Sequence, residues 1–77
     1  MDIPEALIEL ERAAVEAHAG LAGLEGEAYV ERVAVWREAA TAVQTAIAEH
    51  AREAGVDRYE LEMAVKQAVR RPDTPAA

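Results

Sequence analysis

The stretch HAGLAGLEGEAYVER, residues 18–32, places Gly20, Gly23 and Gly26 at regular intervals in a chain otherwise rich in helix formers. Glycines so spaced read either as a phosphate cradle or as a turn. A cradle follows a strand and leads into a Gly-Lys-Ser/Thr element, and neither occurs here. A turn requires periodic apolar runs on both sides that change direction, with glycine free to take the left-handed conformations that end a helix. Both flanks meet that requirement, so the stretch is read as the connection of a helical hairpin.

On the N-terminal side, Ile3, Leu7, Leu10, Ala14, Ala17, Leu21 and Leu24 alternate in steps of four and three, an unbroken heptad seam. The pattern predicts a first helix over about 3–24, with Gly26 just past its end. Asp2 and Glu5 have the spacing of a capping box, and Pro4 suits the first turn. Ile8, Val15 and Ala22 widen the stripe, while Glu5, Glu9, Glu16 and Arg12 point away from it.

On the C-terminal side, Tyr29, Val33, Trp36, Ala40, Val43, Ile47, His50 and Ala54 repeat the alternation, predicting a helix over about 27–54. Two long amphipathic helices joined by a short connection lie antiparallel. If the turn centres near Glu25, Trp36 faces Val15 beside Ala14 and Ala17, so the largest side chain meets the smallest stretch of the opposite seam.

Gly55 ends this helix, and GVDRYELEM carries a new start signal. Asp57 is the N-cap, Glu60 completes a capping box, and Val56 with Leu61 makes a hydrophobic staple. A third helix over about 58–70 follows, closed by Pro72. Residues 1–71 are thus expected to form one helical domain. The terminal RPDTPAA has no periodicity, and 72–77 are expected to be a disordered tail.

The fold class predicted is all-α: a long antiparallel hairpin plus a short third helix, assembling into a dimeric helical bundle. Dimerisation follows from bulk. A chain of 77 residues is near the lower limit for one core, and 19 of them are Ala, against five Leu, three Ile, no Phe and one Trp. Without cysteine there is no disulfide framework and no thiolate metal site. MDIPEALIELE carries acid where an export signal carries base, and a soluble cytoplasmic protein is expected.

The chemistry that composition excludes is extensive. There is no Ser and no Cys, so acyl-transfer nucleophiles are lacking apart from Thr41, Thr45 and Thr74. Glu9, Glu11, Glu16, Glu31, Glu38, Glu49 and Glu53 fit outward helical faces, where a carboxylate is not tuned for acid–base work. Thr41, Thr45 and Gln44 read as a solvated polar strip. His18 and His50 fall at opposite ends of the hairpin, and Val15 and Ile47 occupy the positions that a Glu-x-x-His di-iron motif fills with Glu. No enzyme, cofactor or metal site is expected.

The net charge of −7 makes a duplex-binding surface improbable over the first two thirds of the chain. The third helix is the most informative surface. Leu61, Ala64, Val65, Ala68 and Val69 form one face, leaving Tyr59, Met63, Lys66 and Arg70 as a separate stripe, of a composition enriched at protein interfaces. These four are the candidate partner-binding residues. The function expected is a small acidic protein-interaction and oligomerisation module, its partner a second copy or another protein. The alternative is a small transcriptional regulator of phage or mobile-element type, touching DNA through Lys66, Arg70 and Arg71 or imitating DNA with its acidic hairpin.

Overall fold

The computed structural model describes residues 2–70; the expected tail at 72–77 lies outside them. The described chain is all-helical, with α1 at Glu5–Ala19, α2 at Glu27–Ala54 and α3 at Arg58–Arg70, and it contains no strand.

Helix α1 is shorter than the 3–24 that its seam predicts. At its start Pro4 is the N-cap, extended at φ −60° and ψ 139°, and no side chain caps the helix. The residue before a proline is itself pushed out of helical geometry, which leaves Asp2 and Ile3 upstream of the first turn. The expected Asp2–Glu5 box is therefore not formed; the Pro4 carbonyl accepts from the Leu7 N–H at 3.0 Å instead. At the far end the Gly20 N–H reaches the Glu16 carbonyl, and the chain then tightens into three-residue turns, Leu21 N–H to His18 O and Leu24 N–H to Leu21 O. Two glycines within four residues lower helix propensity by about 1 kcal/mol each, enough to outweigh continuation of the seam. Leu21 and Leu24 stay half-buried on the turn. Gly26, expected as the C′ of α1, is the N-cap of α2, with φ 69° and ψ −143°, a conformation closed to residues with a Cβ.

Helix α2 ends in a left-handed Gly55 at φ 71°, followed by the Val56 N–H bonding back to the Ala51 carbonyl at 3.1 Å, a Schellman closure. The short link then enters α3, where the Asp57 carboxylate accepts from the Glu60 N–H at 2.9 Å. Val56 packs on the same cluster as Leu61.

The core is small. Leu7, Ala14, Val43, Ile47, Ala51, Leu61 and Val65 form one buried cluster, with Ile3, Leu10, Ala39, Ala46 and Val56 packed around it. Every helix contributes, so α3 closes the α1–α2 seam from one side. Asp2, Ile3 and Pro4 share a groove with His50, Ala54 and Val56, while His18 sits against Trp36. The core thus occupies the stretch of α2 from Val43 to Ala51, and the rest of α2 extends past it.

Candidate functional site

Three surfaces bear on function. The first is a polar network that joins all three helices. Glu11 is buried, at 6 % exposure, where the sequence pattern put it on an outward face. The cause is α3, which lies over α1 and brings the Lys66 ammonium to 3.3 Å from the Glu11 carboxylate. Lys66 also stands 3.9 Å from Glu62. Glu62 accepts from the Gln44 amide at 3.3 Å, and Gln44 in turn accepts from Arg58 at 2.8 Å. Gln44 is accordingly half-buried and engaged rather than part of a solvated strip, while Thr41 and Thr45 are exposed.

The second surface is the outer stripe of α3. Tyr59 is 68 % exposed, Met63 37 %, and Arg70 is exposed as well. Lys66 departs from the other three because its head group turns inward to the carboxylates. The stripe is therefore two apolar side chains and one terminal Arg, without the ammonium between them. On the opposite face Leu61 and Val65 are fully buried.

The third surface is the N-terminal half of α2, and sequence reasoning did not single it out. Tyr29 is 44 % exposed and Val30 67 %. Val33, Trp36 and Ala40 on the same side are half-buried, and Arg37 beside them is exposed. The Trp36 ring meets His18 edge-on, with centroids 4.9 Å apart. Beside that pair lies a groove of about 330 Å³, whose lining includes Ala14, Val15, Ala40 and the Glu11–Lys66 pair. Val15 is itself 47 % exposed.

The signal for this surface was present in the sequence. Val30 is an apolar residue off the α2 seam, which a helix with one covered face has no need of.

The chain matches no protein-family model, and no curated protein or solved structure is significantly similar to it. What it can do rests on the geometry alone.

Among the described residues the one buried carboxylate is Glu11, and it is paired with Lys66. The two histidines keep separate company, His18 with Trp36 and His50 with Ile3, Pro4 and Val56. Among the described residues no group of three or more His, Asp or Glu is gathered closely enough to hold a metal ion. No helix of the described chain is long and apolar enough to cross a membrane.

Proposed function

We propose that the chain is a small, non-enzymatic protein-interaction module that works as a homodimer of antiparallel hairpins, each braced by its α3. The carrying observation is the uncovered apolar side of α2, where Tyr29 and Val30 face solvent beside a half-buried Trp36. Contiguous apolar surface of this kind on a small protein marks a site of association.

Two further observations support the reading. Among the described residues the buried apolar side chains larger than alanine are Leu7, Val43, Ile47, Leu61 and Val65, a thin interior. The Cα radius of gyration is 14.2 Å, against roughly 11.5 Å for a globular domain of this length. Both describe a fold that gains by burying more surface than its own helices provide.

A DNA-contacting role for the end of α3 draws less support, because Lys66 is already held by Glu11 and Glu62. Tyr59 and Met63 remain on the outside and suit a second, heterologous protein partner.

Sedimentation equilibrium over a wide concentration range tests the proposal. A species of twice the 8.3 kDa chain mass, with thermal stability that rises with concentration, supports it. A monomer of concentration-independent stability refutes it.

A further inference from the structure

Resting on the homodimer reading, we infer which surface pairs and in what direction: the N-terminal halves of two α2 helices lie antiparallel across a two-fold axis, joined by the strip Tyr29, Val30, Val33, Trp36, Arg37 and Ala40.

Length is the first argument. At 1.5 Å per residue α2 is about 42 Å long, whereas α1 is about 22 Å and α3 about 20 Å. The core they share lies between Val43 and Ala51 on α2, so α3 leaves the N-terminal half of the helix uncovered. The apolar seam nevertheless continues through Ala40, Trp36 and Val33 to Tyr29. The turn does not cover this side: Leu24 lies with Ala28, Arg32 and Val35, on another flank of the helix.

Self-complementarity is the second argument, and it selects a second copy as the occupant. A two-fold interface brings one patch against itself. With the axis crossing the strip between Val33 and Trp36, Tyr29 stands opposite Ala40 of the second copy, and Val33 opposite Trp36 of the second copy. Each large ring thus meets a smaller side chain, as interdigitating helices require.

Charge is the third. The chain carries −7 overall, which opposes self-association nearly everywhere on its surface. This strip holds a single charged residue, Arg37, and that charge is positive. In the antiparallel arrangement the nearest residue of the second copy on the flank that carries Arg37 is Val30, so no carboxylate of the strip is brought against another. A face a little over three turns long on each copy buries on the order of 1,000 Å² in total, the low end of specific interfaces.

The test uses the full chain and sedimentation equilibrium, with far-ultraviolet circular dichroism to confirm that each variant is folded. Val30 is two-thirds exposed, so Val30→Arg leaves the fold intact while setting Arg against Arg37 of the second copy. Dimer dissociation is expected to rise at least tenfold. Adding Arg37→Glu to Val30→Arg is expected to restore affinity to within about threefold of wild type, because the new pair attracts. Tyr59→Glu with Met63→Glu is expected to leave the dimer unchanged.

Failure separates cleanly. A wild-type dimer that ignores Val30→Arg but is split by the Tyr59 and Met63 changes overturns this pairing and leaves the homodimer reading standing. A dimer weakened by Val30→Arg and not rescued by Arg37→Glu overturns the antiparallel direction. A wild-type monomer at every concentration removes both.

Discussion

Replacing Lys66 by Met removes the one cation, among the described residues, within bonding distance of the buried Glu11 carboxylate. At their 3.3 Å separation two unit charges attract by about 5 kcal/mol at an effective dielectric of ~20, and by about 1.3 kcal/mol in bulk water. The pair lies between these limits, since the Glu11 side chain is 8 % exposed and that of Lys66 34 %. Screening at the lysine end brings the expected coupling to about 2 kcal/mol. The two single substitutions should then be unequal. Lys66→Met strands a carboxylate away from water and is expected to cost about 2–3 kcal/mol. Glu11→Met strands an ammonium that already reaches solvent and has Glu62 beside it, so its cost should stay below about 1 kcal/mol. The double variant exchanges the pair for two apolar side chains and should be more stable than Lys66→Met alone.

The assay is urea unfolding followed by far-ultraviolet circular dichroism and Trp36 fluorescence, at one fixed protein concentration so that association contributes equally to all four proteins. Additivity of the two substitutions within about 0.5 kcal/mol would refute the coupling. A Lys66→Met variant as stable as wild type would refute the burial of Glu11. In that case Lys66 returns to the surface stripe beside Tyr59, Met63 and Arg70, and becomes available to a partner.

Three further substitutions probe the elements that hold the surfaces in place, each by the same unfolding measurement. Leu61→Ala, at a side chain with no exposure, should cost about 3 kcal/mol by opening a cavity between α3 and the other two helices, and a loss under about 1 kcal/mol would mean that α3 does not dock there. Gly55→Ala should cost about 1–2 kcal/mol, since φ is +71° and nothing lies within 4 Å to reward the added methyl; no loss would mean that the helix end is not left-handed. Asp57→Ala should cost about 1 kcal/mol by freeing the Glu60 N–H, with Asp57→Asn nearly neutral, and equal losses for both would point away from capping.

What was legible in the sequence were features with a local cause. Gly55, Val56 and Asp57 mark the end of one helix and the start of the next through backbone conformation and a side-chain cap, and the structure uses each of them in that role. The α1 boundaries were misread because the heptad seam, a tertiary signal, continued where local propensity did not. Leu21 and Leu24 fit the seam, yet Gly20 and Gly23 end the helix before either is reached. Glu11 was misread for the converse reason. Its own helix places it beside the seam facing α2, and only the crossing of α3 covers it. Tyr59, Met63 and Arg70 needed no tertiary knowledge to be placed outside, whereas the inward turn of Lys66 depends on a carboxylate 55 residues away in the chain.

The shortening of α1 matters more for function than the misplacement of any single residue. Had α1 run to Leu24, its seam would have continued past the His18–Trp36 contact toward the start of α2. Ending at Ala19 instead, α1 leaves Tyr29 and Val30 uncovered on a helix that persists to Glu27. A helical segment of some three turns with one uncovered apolar side is marginal in water by itself, since most helical stability in proteins comes from packing that side. Gly20, Gly23 and Gly26 thus do two things. They turn the chain, and by cutting α1 short they leave on α2 the exposed Tyr29 and Val30 on which the proposed pairing with a second copy rests.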